Sequence, residues 1–593
     1  MSSRIVDIPG AADSDSGALT PGLVVLDGYG TGVADIVRLA DGAARPVPGT
    51  EAMKRVEESW DAARRIAATG RVYGRSTGVG ANRNEDVPTE AATGHGLRLL
   101  RSHAGAIGAE LPARQVRAML AVRANQLLAG GAGLRPTIVT ALCEALEAGA
   151  YPVVNEFGSV GTGDIAALAQ VGLALAGEHP WREAEVGWRG AGAGGPGAAG
   201  PGAHGPEANG QGTREPETDR LGVHEPGAAG PGAHGPEADA RRASGQGADR
   251  QGAREPGLDP QGARSPAAGA PEAQPLDNND ALALISSNAL TLGQAALALH
   301  ELRGLIGATQ VVAALSLLAV DGSHEAYAAP VHAARRHPAT AEVARRMREL
   351  IGAADRPTPP LGRLQDPYGF RCLPQIHGPA LDAADALEEV LTVEINAAAE
   401  NPLISAEDMA AYHHGGFYQA GLALALDHFR LSLTQVARLS TSRLSTLNEP
   451  AYTRLRPFLA DHEPASSGVM ILEYAAGAAL GDLRAFSAPA SLGHAVLSRG
   501  VEEQASFASL AARQTLRACD AYRLVVGCEL VAAVRALRQR ELRPDPELPV
   551  GRALELAESV LDADQTDRPL TDDVTAAAAL LDRFTDIWRG STA

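Results

Sequence analysis

Residues 280–320 form an almost unbroken run of alanine, leucine and other apolar residues. A helix that is apolar on every side must be buried, either in the core of a large bundle or between packed subunits. Two further runs of this kind occupy residues 421–447 and 467–480. The first run is interrupted by three glycines, Gly293, Gly304 and Gly307.

Other segments have the spacing of amphipathic helices. In Val116–Leu128 and Ile138–Leu146 the apolar residues recur three and four positions apart. Hydrophobic residues make up 45% of the chain but aromatic ones only 4%, and no long alternating run of β-branched residues occurs. The sequence therefore predicts an all-α fold built as a large helical bundle.

The segment 190–275 differs from the rest in composition. It is dense in glycine and proline and contains no Phe, Tyr, Trp or Ile, so it has little apolar surface to bury. The sequence GAAGPGAHGPEA occurs in it twice, at residues 197–208 and 227–238. We predict a disordered insert there, flanked by an N-terminal part (1–189) and a C-terminal part (276–593) of one protomer.

The net charge of −19 and the absence of a basic cluster argue against a nucleic-acid partner. No secretory leader and no uninterrupted uncharged apolar span is recognisable, which predicts a cytoplasmic protein without a membrane partner. The four cysteines lie far apart and form no CxxC pair, so neither a disulfide framework nor a metal site is predicted.

Polar and titratable residues concentrate in four segments of this helical sequence. They are VYGRSTGVGANRN at residues 72–84, VVNEFGSVGTGDIAAL at 153–168, QDPYGFRCLPQIHG at 365–378 and GVEEQAS at 500–506. The second is a glycine-dense turn that should open a helix, with Asp164 at or near its N-cap. In the fourth, Glu502 and Glu503 should face different directions on a helix, one inward and one towards solvent.

In this order and spacing, the segments resemble the histidine and aromatic amino acid ammonia-lyase family over nearly the whole chain outside the insert. Residues 73–80 are similar to its Tyr-Gly-x-x-Thr-Gly-x-Gly loop and residues 365–375 to its QDPYSxRCxPQ signature. Ser102-His103-Ala104 and Asn401-Pro402-Leu403 match further motifs. The resemblance implies a fumarase/aspartase-like helical architecture and a homotetramer whose active sites draw residues from three subunits.

The resemblance also implies the roles of individual residues. Tyr73 would be the base that takes the β proton of the substrate, with Glu502 and Tyr368 as further catalytic residues. Arg371 would bind the substrate carboxylate with the help of Tyr368. The remaining substrate-binding residues would be His103, Gln365, Asn288, Phe417 and Met470.

One departure from the family concerns its electrophile. Members with ammonia-lyase activity carry Gly-Ser-Val-Gly followed by Ala-Ser-Gly-Asp, and Ala-Ser-Gly cyclises into a methylidene-imidazolone ring. Here the altered turn reads Ser159-Val160-Gly161-Thr162-Gly163-Asp164, one residue short and without the serine that supplies the methylidene carbon. We therefore predict that the chain has no such cofactor.

A second departure supports the same prediction. Leu284-Ile285-Ser286-Ser287-Asn288 stands where the family has Leu-Ile-Asn-Gly-Thr, so Ser286 replaces the asparagine that assists the electrophile, although the amide of Asn288 lies close by in sequence. Family members that lack the ring are similar to enzymes that release trimethylamine from histidine betaines such as ergothioneine.

Three functions remain open from the sequence. The first is a ring-independent lyase that acts on a histidine-like amino acid or betaine, a small-molecule substrate, and gives a urocanate-type acid. The second is a conventional ring-dependent ammonia-lyase or aminomutase. The third is a non-catalytic homologue that serves as a binding or assembly subunit.

Overall fold

The longest apolar run forms the central helix of the fold. In the computed structural model, which describes residues 22–184, 269–358 and 363–590, helix α8 spans Ala289–Ala319 and is buried along almost its whole length. A short helix, α7 (Asn278–Ile285), precedes it after a break at residues 286–288. The described residues belong to one compact unit, and a second unit, Ala193–Ser265, lies outside them.

Eighteen helices in the described ranges make up most of the fold, which confirms the predicted all-α class. Before the insert they are α1 (Val33–Ala40), α2 (Thr50–Thr69), α3 (Thr89–His103), α4 (Ala113–Leu128), α5 (Pro136–Ala148) and α6 (Ile165–Leu175). After α8 they are α9 (Ala329–Ala334), α10 (Pro338–Ile351), α11 (Tyr368–Arg371), α12 (Leu373–Ile395), α13 (Ala420–Leu447), α14 (Pro450–Thr453), α15 (Ile471–Phe486), α16 (Ala508–Gln539), α17 (Pro549–Val560) and α18 (Thr571–Arg589).

The strands are short and pair only in twos. One pair is parallel, β1 (Leu23–Leu26) with β2 (Arg45–Pro48). The antiparallel pairs are β3 (Ile107–Glu110) with β5 (Asn155–Phe157), β4 (Ala150–Pro152) with β6 (Trp181–Glu183), and β7 (Leu403–Ser405) with β8 (Ala410–Tyr412). Strands of this length cannot form a core of their own, so they serve as connections between helices.

The core is a layer of long helices around α8, which packs against α4, α12, α16 and α18. The glycines that interrupt the apolar run do not break this helix; they let neighbouring helices come close. A Cβ on Gly293 would lie 2.9 Å from the backbone of α4, and one on Gly307 would lie 2.4 Å from the Trp588 ring. Side chains larger than hydrogen at these points would therefore push the helices apart.

One helical stretch of the described residues, Asn278–Ala319, is long and apolar enough to cross a membrane. In this fold 89% of its apolar window is buried inside the protein, as expected of a core helix. The four cysteines are unpaired, and three of them are buried.

The predicted insert 190–275 lies, apart from residues 269–275, outside the described residues. Its described end runs into helix α7, whose first turn is capped by Asp277. The Asp277 carboxylate accepts hydrogen bonds from the backbone amides of Asn279 and Asp280, and the Asp280 carboxylate accepts one from the amide of Asp277. This reciprocal capping fixes the start of the helix that leads to the break before α8.

Candidate active site

A cavity of about 330 Å³ opens where the break between α7 and α8 meets the loop that follows α2. Its volume is at the lower end of the ~300–1,000 Å³ typical of small-molecule sites. Five of the predicted site residues line it, namely Tyr73, Thr162, Gly163, Phe417 and Glu502. The other described lining residues are Gly80, Arg83, Ile165, Leu282, Ile285, Ser286, Ser287, Asn401, His413 and Val501.

The loop between α2 and α3 carries Tyr73 and folds back on its own phenol. The backbone N–H of Gly80 donates a hydrogen bond to Tyr73 Oη at 2.9 Å. Gly74 (φ +67°) and Gly80 (φ +54°) have left-handed backbone conformations that suit glycine, so the spacing of glycines in this loop follows from its turns. The hydrogen bond fixes the position of the phenol oxygen relative to the loop.

Glu502 reaches the cavity from a turn that precedes α16. The prediction that Glu502 and Glu503 face different directions is correct, because Glu502 lines the cavity and Glu503 is exposed. The expected helix is wrong: α16 begins only at Ala508, and Glu502 instead pairs with Leu497 in an isolated antiparallel bridge. The Leu497 amide donates to the Glu502 carbonyl at 2.8 Å.

The altered turn forms one wall of the cavity and is tightly bonded. Ser159 Oγ donates to the carbonyl of Gly163 at 3.0 Å and accepts from the amide of Gly161 at 3.1 Å. From the segment just before α16, Ser506 Oγ donates to the Gly161 carbonyl at 2.8 Å. The two glycines have φ of +90° and +121°, conformations in which any other residue would be strained.

Asp164 is the N-cap residue of α6, as predicted, but its side chain caps a different helix. The carboxylate accepts hydrogen bonds from the amide (2.8 Å) and the hydroxyl (2.9 Å) of Thr291 in the first turn of α8. Burial raises the pKa of this carboxyl, and the two Thr291 donors oppose the rise. The backbone N–H of Asp164 also donates to the Ser287 carbonyl at 2.7 Å. The turn is thus joined to the break before α8.

The break before α8 positions Phe417 through the side chain of Asn288. Asn288 Nδ2 donates to the Phe417 carbonyl at 2.7 Å, while its buried Oδ1 has no hydrogen-bond partner among the described residues. Asn288 itself does not line the cavity. Ser286, at the position of the family's helper asparagine, lines the cavity. Its Oγ accepts a hydrogen bond from the backbone N–H of Asn401 at 2.9 Å.

A buried ion pair contacts the end of α7, just before this break. Arg123 and Glu400 lie 2.9 Å apart with almost no exposed surface. Arg123 also donates hydrogen bonds to the carbonyls of Ala283 and Leu284 in the last turn of α7, groups that the helix itself leaves without partners. Glu400 lies next to Asn401, so the pair connects two parts of the cavity wall.

The remaining predicted residues lie outside this cavity within one chain: His103, Gln365, Tyr368, Arg371 and Met470. Gln365 and Tyr368 are exposed, Tyr368 to 68%. The Arg371 guanidinium stacks over the Tyr368 ring at 4.7 Å and donates to the Asp366 carbonyl at 2.6 Å. At the end of α3, the Nδ1 atom of His103 is 2.9 Å from the Leu99 carbonyl.

Sequence reasoning missed two titratable residues of the cavity, His413 and Arg83. The His413 ring meets the Tyr73 ring edge to face, with centroids 6.0 Å apart. Arg83 Nη1 donates to the Gly80 carbonyl at 3.3 Å. Only their closeness in sequence to predicted site residues could have indicated them. Arg83 lies three residues after Gly80 in the tyrosine loop, and His413 lies four residues before Phe417.

Comparison with known families identifies the fold that carries this cavity. The model of a family described as "Aromatic amino acid lyase" matches residues 31–194 and 261–559. The chain belongs to the aromatic amino acid lyase family. This assignment confirms the resemblance in the sequence and makes the protein a carbon–nitrogen lyase.

Relatives in this family match the chain almost from end to end. Histidine ammonia-lyase of Geobacillus thermodenitrificans is 29% identical over 94% of this chain and 97% of its own length. Histidine ammonia-lyase of Geobacillus kaustophilus is 30% identical over 86% and 87%. All the described residues that line the cavity lie inside the matched ranges.

Solved structures of lyases share the fold. Ergothionase of Treponema denticola, an ergothioneine-degrading enzyme solved with desmethyl-ergothioneine sulfonic acid, has a TM-score of 0.74 at 22% identity, covering 95% of this chain and 99% of its own. Histidine ammonia-lyase of Trypanosoma cruzi has a TM-score of 0.74 at 23% identity, covering 96% and 94%.

The altered turn is short at the place where the resemblance would put Ala-Ser-Gly. Between Gly161 and Asp164 there are only Thr162 and Gly163. The nearest serine, Ser159, is followed by valine, and its hydroxyl is hydrogen-bonded to the Gly163 carbonyl.

Proposed function

We propose that this lyase eliminates an amine from a histidine-like α-amino acid or betaine without a methylidene-imidazolone, and that it releases a urocanate-type unsaturated acid. The observation that carries the proposal is the cavity itself. It brings the Tyr73 phenol and the Glu502 carboxylate into one cavity with Thr162 and Gly163, which stand where ring chemistry would need a serine.

The proton transfer follows from the surroundings of Tyr73. Its Oη, positioned by the Gly80 N–H, is the base that takes the β proton of the substrate. The C–H electron pair becomes the second bond between Cα and Cβ, and the Cα–N bond breaks with its electrons on nitrogen. Tyr73 then returns the proton to solvent. Glu502 carries the charge that holds the imidazole ring or the substrate nitrogen.

The leaving group decides whether an electrophilic ring is needed. A primary amine is a poor leaving group, and a ring that binds it lowers the barrier. A quaternary trimethylammonium has no lone pair with which to attack such a ring, and it departs as neutral trimethylamine without receiving a proton. A betaine is therefore the substrate class that best suits a turn without the serine.

The substrate carboxylate requires a cation. Arg371 stacks on the exposed Tyr368, outside the cavity of its own chain. We propose a homotetramer in which the segment of Gln365, Tyr368 and Arg371 completes the cavity of a neighbouring subunit. A bidentate Arg–carboxylate contact would then orient the substrate above Tyr73. His103 and Met470 contribute to the ring-binding side in the same assembly.

We expect purified protein to release trimethylamine from hercynine or ergothioneine and to leave histidine unchanged. The measurement is absorbance in the urocanate region together with quantification of the amine released. Ammonia release from histidine would instead support the conventional ammonia-lyase, the activity named for the Geobacillus relatives. No turnover of any of the three compounds would support the non-catalytic alternative.

Intact mass tests the proposed absence of the ring independently of activity. We expect the mass of the purified chain to equal that of its sequence, because Thr162-Gly163 lacks the serine whose dehydration completes the ring. A mass lower by two waters, located by peptide mapping to residues 158–164, would contradict the proposal. A histidine ammonia-lyase prepared in parallel serves as the positive control for that loss.

A further inference from the structure

The turn that carries Glu502 has an unusual backbone. Ser498, Arg499 and Gly500 follow one another with φ of +51°, +56° and +81°. Left-handed conformations are uncommon outside glycine, and two consecutive non-glycine residues adopt them only where the surrounding structure enforces them. Such strain at the edge of a cavity calls for a contact that holds it in place.

The Ser498 hydroxyl supplies a contact of this kind. Ser498 Oγ accepts a hydrogen bond from the backbone N–H of Ala81 at 3.0 Å, across 417 residues of sequence. The contact is close on all sides, because a Cβ added to Gly80 would lie 2.6 Å from this hydroxyl and 3.8 Å from Glu502 Oε1. Gly80 therefore lies close to both the serine hydroxyl and the Glu502 carboxylate.

Each end of this contact leads directly to a proposed catalytic group. On one side, the residue before Ala81 is Gly80, whose N–H donates to Tyr73 Oη. On the other side, Leu497 next to Ser498 is paired with the backbone of Glu502. One hydrogen bond thus joins the loop of the phenol to the turn of the carboxylate.

We propose that Ser498 is a positioning residue that fixes the tyrosine loop, residues 72–87, against the Glu502 turn and so sets the placement of Tyr73 relative to Glu502. Its catalytic part rests on the proposed function, while the coupling of the two loops does not. Ser498 itself does not line the cavity, so it acts through the loop and not on the substrate.

The test compares variants that separate the hydroxyl from the backbone strain. Ser498→Gly removes the acceptor and relieves the left-handed conformation. Arg499→Gly is the matched control, because it relieves the left-handed conformation of the adjacent residue and keeps the Ser498 hydroxyl. The Arg499 side chain is exposed. Ser498→Asn keeps an acceptor oxygen in a residue that tolerates the left-handed region.

Two readouts are expected to change in Ser498→Gly and not in Arg499→Gly. The first is kcat for amine release, which should fall by about 10–100-fold at nearly constant KM, since a misplacement near 1 Å can cost about 10²-fold. The second is amide hydrogen exchange in residues 72–87, which should become faster because the Ala81 N–H loses its acceptor. Ser498→Asn should recover much of both.

Unchanged exchange in the tyrosine loop of Ser498→Gly would overturn the inference, as would equal losses in Ser498→Gly and Arg499→Gly. If the wild type releases no amine from any substrate, the proposed function fails. The exchange comparison still decides whether Ser498 couples the two loops. If Ser498→Gly does not fold, amide exchange and kcat are compared between Ser498→Asn and Arg499→Gly instead. Faster exchange of residues 72–87 in both variants would then overturn the inference.

Discussion

Replacing Tyr73 with phenylalanine is expected to lower kcat for amine release by about 10²–10⁴-fold, the range that a positioned acid–base group contributes. The phenyl ring keeps the edge-to-face contact with His413 but leaves no oxygen to take the proton or to accept the Gly80 N–H. Because the ring still fills its place, KM should change little. Steady-state kinetics on the betaine substrate measure both constants.

The control for this variant is Tyr29→Phe, which removes a phenol from an exposed tyrosine that does not line the cavity. It should leave kcat and KM at their wild-type values. If Tyr73→Phe retains most of its activity, another group takes the β proton, and His413 would be the first candidate because its ring lies against Tyr73 in the same cavity.

Replacing Glu529 with glutamine is expected to have the largest effect on stability, a loss of about 3–5 kcal/mol, because it leaves the guanidinium of Arg443 buried without its counter-charge. Glu529 and Arg443 are fully buried between α13 and α16, joined by bonds of 2.6 and 2.8 Å. Ser316 and Ser440 donate hydrogen bonds to the same carboxylate. The shift of the denaturant midpoint measures the loss.

The Glu529→Gln variant should also loosen residues 365–375, the segment similar to the family signature, because Arg443 contacts it. Arg443 Nη1 donates to the Gly369 carbonyl at 3.2 Å, between Tyr368 and Arg371. Two comparisons isolate the cause. Glu342→Gln, in the exposed pair with Arg345, should cost no more than about 1 kcal/mol. The double variant Arg443→Met/Glu529→Leu should be more stable than Glu529→Gln, because no charge stays buried. A Glu529→Gln midpoint equal to that of Glu342→Gln would contradict the expectation.

Much of the fold could be predicted because the distribution of apolar residues along the chain reports burial directly. The run 280–320 predicted a buried helix, and the structure contains α8 there. The glycines within it could not be interpreted, since the sequence does not say which neighbour each one meets. Gly293 and Gly307 are contact points with α4 and Trp588, which are distant in sequence.

The site was predictable where a motif carries the chemistry and unpredictable where distance in sequence hides a contact. Tyr73, Phe417 and Glu502 came from motifs and meet in the cavity. The Asp164 carboxylate was expected near the start of its own helix, yet it bonds to Thr291, 127 residues away. Such a pairing depends on how α6 and α8 pack, which no local pattern encodes.

The hydrogen bonds of the altered turn suggest why a turn without ring-forming residues still has a defined shape. Three helices hold it: the Asp164 carboxylate accepts a hydrogen bond from Thr291 of α8, the Ser159 carbonyl accepts one from Ser509 of α16, and Asp164 is also the N-cap residue of α6. The turn therefore acts as a structural joint between these helices. A turn without ring-forming residues can therefore still hold these helices together. A variant that introduces a serine into the turn would have to preserve the three attachments.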